Sequence, residues 1–324
     1  MSEIEEVSAA QPRTRRAAES ERDRELKSVF LSISFQDLPE PQATRDLFSQ
    51  VFKERGIRIV EGKAVGPGLI SQLCDQIRSS DLTVVELSHL RPNIVLEMGI
   101  SLALCKRLIP VLNRDSIPPP TLHAYPFLLE MGHVPYSLSY DDLTRLRTEV
   151  VHWSRKPLTR TDTLHESIIG NANLRPEQRA RTFALYYPES RRALWTNMIE
   201  RIRSVSKQAA HDCIFVNLKP HQHTKSLLDN LVWAVSKCDR LVVDTSGPNG
   251  PDMYGSFALG FAFALTKRKN RKQIIRLEEK GYDHGDGLSM WPAQQYEVWE
   301  KADSVYHLIS SILPAKGRNG ERKR

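Results

Sequence analysis

Short apolar runs alternate along this chain with stretches whose apolar positions recur every three or four residues. That alternation of strand-like and helix-like periods predicts parallel sheets covered by helices. SVFLSISF from Ser28 is β-branched and aromatic and reads as a buried strand; an amphipathic helix over Gln42 to Arg55 follows, stopped by Gly56. IRIV (Ile57 to Val60) is the second strand, Leu69 to Ser79 the second helix, and LTVVEL the third strand. A greasy helix containing Glu97 and the strand RLIPVL (Arg107 to Leu112) complete the series, and the amphipathic stretch Tyr140 to Trp153 closes the domain.

The same order then recurs. TFALYYP (Thr182 to Pro188) matches the first strand, Ser190 to Ser206 the first helix, and CIFVN (Cys213 to Asn217) matches IRIVE. SKCDRLVVDTS lies over RSSDLTVVELS, and ALGFAFAL (Ala258 to Leu265) over EMGISLAL (Glu97 to Leu104). The separations are 153 residues at the first strand, 158 at Asp81/Asp239 and 161 at Glu97/Ala258, a drift that surface-loop insertions produce. The expected organisation is a charged arm (1–26), an α/β domain (27–153), a polar linker (154–180), a second copy of the same fold (181–313) and a basic tail (314–324). The two copies, each a flavodoxin-like or Rossmann-like parallel-sheet, three-layer unit, are expected to pair as an internal pseudo-dimer.

Glu97 is the residue that demands an explanation. It sits on a helix apolar on nearly every side, where a lone carboxylate costs free energy unless something pairs with it. Glu86 ends the preceding strand, and in an open parallel sheet ligands bind at the carboxyl ends of the strands, so both acids are expected to face that crevice. Asn93 reads as an N-cap placing Glu97 about one turn into the helix, whose free amides would suit a phosphate or an ionised carboxylate. Ser32 and Ser34 are candidates to line the pocket, Arg91 to meet a phosphate, and Gly99 to let the helix approach its neighbours closely. The competing explanation for Glu97 is an ion pair with Arg91 or Arg107.

Charge and cysteine content narrow the classes. With 40% hydrophobic and 26% charged residues the chain is globular, and 324 residues suffice for two domains. The net charge is +7, but the tail after Pro314 has five basic residues against one acid and so holds +4 of it, which leaves too little for a nucleic-acid groove. No apolar run reaches the roughly 18–20 residues that span a bilayer, and the N-terminus lacks a signal-like apolar core, so a cytoplasmic protein is expected. Cys74, Cys105, Cys213 and Cys238 form no CxxC pair and read as small buried hydrophobes. His221 and His223 lack a third ligand at helical spacing, GYDHGDG has the wrong acidic spacing for calcium, and no metal site is expected. GxxxxGK[ST], HExxH and GxSxG are absent from the sequence.

The run Asp81 to Glu86, then Arg91-Pro92-Asn93, then Leu96-Glu97-Met98-Gly99, resembles nucleoside 2-deoxyribosyltransferases and the related bacterial Toll/interleukin-1 receptor-like (TIR-like) nucleotide-binding domains. VFLSISF and VPYSLSY (Val134 to Tyr140) are similar to that superfamily's first strand and late strand-to-helix turn. The resemblance implies that Glu97 attacks or stabilises the sugar carbon of an N-glycosidic bond, with Glu86 in the place of a carboxylate that contacts base or sugar. The second copy has Ala258 where Glu97 stands and is expected to be catalytically dead, its role being to wall the pocket. By the same resemblance the activity would be N-glycosidic cleavage of NAD, a nucleotide or a nucleoside, or transfer to another base, in a stress or anti-phage setting. No cofactor is expected, NAD or a nucleotide being substrate; further partners would be a second copy or a defence-system protein. The rival reading is a nucleotide-sensing or scaffold module without turnover.

Overall fold

The computed structural model of the chain describes residues 26–34, 39–62, 69–104, 106–117, 126–139, 144–146, 182–208, 212–217, 226–247, 252–266, 272–281 and 295–300, with 304, 305, 307, 309 and 311. The first half runs β1 (Ser28–Ser32), α1 (Pro39–Lys53), β2 (Arg58–Glu61), α2 (Leu69–Ser79), β3 (Leu82–Glu86), α3 (Pro92–Ala103), β4 (Arg107–Asn113), α4 (Pro126–Met131) and β5 (Val134–Tyr136). The second runs β6 (Thr182–Tyr186), a 3-10 turn (Glu189–Arg191), α5 (Arg192–Gln208), β7 (Asp212–Phe215), α6 (Leu227–Lys237), β8 (Arg240–Asp244), α7 (Met253–Thr266), β9 (Gln273–Glu279) and β10 (Gln295–Trp299). The strand orders are β2-β1-β3-β4-β5 and β10-β9-β8-β6-β7, and every pairing is parallel. Read from the other edge, the second order is the first repeated. The chain is thus α/β with two flavodoxin-like sheets, as the two periods predict.

The register refines the expected alignment. Ser28 pairs with Arg58 and Thr182 with Asp212, so the first two strands of each half are 154 residues apart, not 153 at the first strand. Cys213 therefore lies over Ile59, a slip of two from the expected match to Ile57. The separation at β3 and β8 is 158, as expected, and grows to 166 at β4 and β9. Helix α1 begins at Pro39, three residues before the expected Gln42. Pro39 and Pro41 fit its first turn because the amides they lack would have no partner there. The helix ends at Lys53, and Gly56 takes the left-handed conformation (φ 68°) that turns the chain toward β2. The arm except Leu26, the linker, the tail, Cys105, His221 and His223, and most of GYDHGDG lie outside the described residues.

Each sheet divides its core into two faces. On one face of the first sheet Val29, Leu31 and Val84 pack against Phe48, Val51 and Phe52 of α1. On one face of the second, Phe183, Leu185 and Val242 pack against Trp195, Ile199 and Ile202 of α5, with Val305 and Ile309 joining them. The other two faces share one continuous core, built from α2 and α3 of the first half and α6 and α7 of the second. Helices α3 and α7 form the centre of that core. A Cβ on Gly99 would collide with the Phe257 carbonyl oxygen, and one on Gly260 with the Leu96 carbonyl oxygen. Gly99 and Gly260 are 161 residues apart, as are Leu96 and Phe257, so the contact is self-complementary in the manner of a two-fold dimer. The two halves pair as an internal pseudo-dimer through two glycines that let the helix backbones touch.

Cys74 and Cys238 are buried and Cys213 half-buried, all as free thiols; burial pushes the Cys213 and Cys238 thiols up, away from reactivity. Among the described residues no helix is long and apolar enough to cross a membrane, and no cluster of three metal-ligating side chains occurs.

Candidate functional site at the carboxyl edge of the first sheet

In the order 2-1-3-4-5 the chain reverses direction across the sheet between β1 and β3, and crevices for ligands open there, beyond the carboxyl ends of those strands. Ser32 ends β1 and Glu86 ends β3. Residues 35–38 and 63–68, which follow β1 and β2, lie outside the described residues.

Glu97 is only 8% exposed. Burial pushes its carboxyl up to about 7, and the one group that pulls it back is the Ser32 hydroxyl beside it. No charged group acts on it among the described residues, so the ion pair with Arg91 or Arg107 does not form. Ser32 is 1% exposed, and its Oγ makes no hydrogen bond of normal geometry. The Glu97 carbonyl accepts a bond from Ser101 Oγ (2.9 Å), a local helix contact that leaves the carboxyl untouched. The result is a desolvated acid without a counterion among the described residues, next to the Ser32 hydroxyl.

Glu86 is placed differently. It shares a sheet face with Leu82 and Val84, whereas Ser32 shares the opposite face with Phe30, in the core that holds α3. Glu86 and Ser32 thus end adjacent strands on opposite faces of the sheet, and Glu97 on α3 lies on the Ser32 side. Glu86 Oε1 accepts bonds from the Ser88 amide (3.0 Å) and the Tyr136 hydroxyl (3.2 Å), and Tyr136 in turn meets Thr44 Oγ1 at 3.2 Å. Burial pushes the Glu86 carboxyl up, while Ser88, His89 and Tyr136 pull it back. Tyr136 lies edge-on to Phe48, 5.4 Å between centroids, which fixes its ring. Sequence reasoning missed Tyr136, Thr44 and Ser88. The one available signal was Tyr136 in the late-strand run VPYSLSY; a partner 50 residues away leaves no local trace.

The remaining candidates scatter. Ser34 is buried, and its carbonyl accepts a bond from Arg45 Nη2 at 2.9 Å. Asn93 is not the N-cap: α3 starts at Pro92, its cap is Arg91 with no side-chain hydrogen bond, and Asn93 is exposed inside the first turn. Proline prefers the first helical position, which outweighs the capping preference of the asparagine that follows it. Glu97 accordingly sits about one and a half turns in, at 3.6 residues per turn. Arg91 is exposed at that helix end.

The second half holds the same positions with different residues. Ser32 corresponds to Tyr186 and Glu97 to Ala258, so the polar atom sits on the strand in one half and on the helix in the other. Glu86 corresponds to Asp244, which accepts bonds from Trp195 Nε1 (2.6 Å), Arg191 Nε (3.0 Å) and the Ser246 amide (3.0 Å). Arg91 corresponds to Asp252, which caps α7 by accepting from the Gly255 amide (2.8 Å) and also takes the Tyr186 hydroxyl (2.6 Å). Burial pushes the Asp252 carboxyl up and the Tyr186 phenol well up.

No known family model matches this chain, and no curated protein does.

Proposed function

We propose that the first half breaks the N-glycosidic bond of a nucleotide or nucleoside, with Glu97 as the group that faces the sugar carbon. One observation carries this reading: Glu97 is buried, has no countercharge and is pushed up to about 7. A carboxyl in that state is stabilised by whatever brings positive charge to it. Breaking a C1′–N bond does so, because the electron pair leaves with the base and charge builds on the sugar ring. A nicotinamide base leaves as a neutral group from a cationic ring and needs no proton, so a single carboxylate suffices for NAD. Other bases leave more readily when protonated, and an acid titrating near neutrality is suited to give that proton. Water, or a second base in the transfer variant, then takes the sugar carbon and loses its proton.

The resemblance to deoxyribosyltransferases and TIR-like domains points to the same chemistry and is the sole support for a stress or anti-phage setting. Ala258 in the place of Glu97 supports a division of labour in which the second half braces α3 through α7. The test is chromatography of free base after incubation of the full chain with NAD, nucleosides and nucleoside 5′-monophosphates. Release that falls about a hundredfold or more in Glu97→Gln is the expected result. Tight binding without product from any of them makes the chain a sensing module instead, and release unaffected by Glu97→Gln removes the carboxyl from the mechanism.

A further inference from the structure

The connection from β3 to α3 is short and sharply bent. Residues 87–91 join Glu86 to Pro92, whereas the longer run 245–252 joins Asp244 to Met253 at the equivalent place in the second half. Both connections leave their strand in the same way. The Leu87 amide donates to the Val111 carbonyl (3.0 Å), the Ser88 amide to Glu86 Oε1 (3.0 Å), and the Asn113 amide to Ser88 Oγ (2.7 Å). In the second half Thr245 donates to Leu277 (2.8 Å), Ser246 to Asp244 Oδ1 (3.0 Å), and Glu279 to Ser246 Oγ (2.8 Å). The strand-end acid therefore holds its turn even in the copy that has Ala258 in place of Glu97. What differs is the next step. In the short connection the Leu90 amide donates back to the Leu87 carbonyl (3.0 Å), and Leu90 takes the left-handed conformation with φ 46°. No other non-glycine residue has a positive φ among the described residues. A bulky side chain is strained there and stays only where its surroundings leave no alternative. Leu90 is in return packed against the shared core that contains α3.

We propose that Glu86 is a positioning residue for Glu97: through Ser88 it holds the strained turn that seats Leu90 on the core and keeps water from Glu97. Side chains on a helix lean toward its N-terminus, so Glu97 covers the turn before it, toward the end that residues 87–91 close. Ser32, whose hydroxyl acts on Glu97, ends β1 at the same edge. Glu86 does this from the opposite face of the sheet, without touching the substrate. The Tyr136 hydroxyl on the same Oε1 (3.2 Å) fixes the carboxyl in place. Such a role needs an acceptor at Oε1, and neither a charge nor a proton. It replaces the contact with base or sugar that the resemblance implied for Glu86. The inference rests on the glycosidase reading only for what Glu97 does; its effect on Glu97 is measurable without turnover.

The test is an NMR titration of the full chain carrying carbon-13 at the glutamate side-chain carboxyls, in which the signal missing from Glu97→Gln reports Glu97. Its midpoint in the parent is expected at about 7. Glu86→Ala should lower that midpoint by about one pH unit or more, because water that reaches a carboxyl removes the desolvation holding its proton. Glu86→Gln keeps the acceptor and should restore the parent midpoint. Ser88→Ala loosens only the tie to β4 and should shift the midpoint the same way by less, which decides the matter if Glu86→Ala does not fold. A parent midpoint at the ordinary 4.5, or one unmoved in the alanine variants, overturns the proposal. So does a loss of base release in Glu86→Gln as deep as that in Glu97→Gln with the midpoint unchanged, since Glu86 would then act on the substrate. A chain that releases no base at all defeats the glycosidase reading, and the titration still decides this one.

Discussion

At the carboxyl end of β3 the first half sets Glu86 against Tyr136 and Ser88, with no arginine or lysine acting on it; at the equivalent end of β8 the second half sets Asp244 against Arg191, Trp195 and Ser246. Matching the buried positions Leu47, Phe48 and Val51 of α1 to Met198, Ile199 and Ile202 of α5 puts Glu40 over Arg191 and Thr44 over Trp195. Arg191 bridges Asp244 and Glu279 (2.8 Å to the latter) and stacks over Trp299, 5.2 Å from its centre. Glu40 instead takes Asn113 Nδ2 (3.0 Å) and Ser116 Oγ. The difference extends to the shared core, where Arg276 and Glu278 on β9 replace Pro110 and Leu112 on β4. One backbone thus carries two kinds of edge. At the end of β8 an arginine neutralises the strand-end acid; in the first half no arginine or lysine acts on Glu86 or Glu97 among the described residues. An edge that satisfies itself has little left to offer a ligand.

The comparison depends on the two halves being one pseudo-symmetric body, and the strongest way to break it is at the helix crossing. Gly260→Val puts a side chain into the Leu96 carbonyl, and Gly99→Val one into the Phe257 carbonyl; neither obstacle is a flexible side-chain tip that can swing away. Each is expected to cost about 4 kcal/mol or more, beyond ordinary overpacking, because backbone must move. Denaturant melts should show both variants failing alike. If either is tolerated at full stability, the helices do not pack as described and the internal dimer is wrong.

A second break sets the two strand-end acids against each other. Asp244→Asn takes one of two carboxylates from the Arg191 guanidinium, 11% exposed, and is expected to cost about 3 kcal/mol, the low end for breaking a buried pair. Glu86→Gln keeps an acceptor for Ser88 and Tyr136 and removes a desolvated acid, so it should change stability at pH 7 by less than about 1 kcal/mol. Urea unfolding of both variants at one pH gives the answer. Equal costs would mean that the two edges do not differ as their contacts imply.

Much of this was legible in the chain. Apolar runs and helical periods located every strand of the first sheet up to β4, and the repeat of RSSDLTVVELS in SKCDRLVVDTS exposed the duplication. Register was not legible, because β1 and β3 are buried at every position; a strand with two covered faces has no polar face to mark its phase. The isolation of Glu97 followed from its apolar helix. Its neighbour Ser32 and the face occupied by Glu86 did not, since both depend on which side of a fully apolar strand each residue takes. The Arg191, Trp195 and Asp244 cluster joins positions 49 and 53 residues apart and has no local signature.

The finest test of the comparison is the pH dependence that Glu97 imposes and Ala258 cannot. The folded chain holds the Glu97 proton up to about 7, whereas the unfolded chain releases it near the ordinary 4.5. Between those values the folded state binds more protons than the unfolded one, so stability falls as pH rises through the window and is lowest above 7. At ~1.4 kcal/mol per pH unit the full effect is up to about 3 kcal/mol. Glu97→Gln removes it: the variant should match the parent below pH 4.5 and exceed it by up to that amount at pH 8. Activity should run the other way in the parent, rising through pH 7 as the carboxylate forms, if cleavage of a cationic base is the reaction. The acid that costs the fold most above neutrality is then the one the chemistry needs ionised. That opposition is what a binding site, unlike a structural ion pair, predicts. A stability profile that is flat from pH 4 to 8 in both proteins would mean Glu97 is hydrated or paired, and the first edge would be no different in kind from the second.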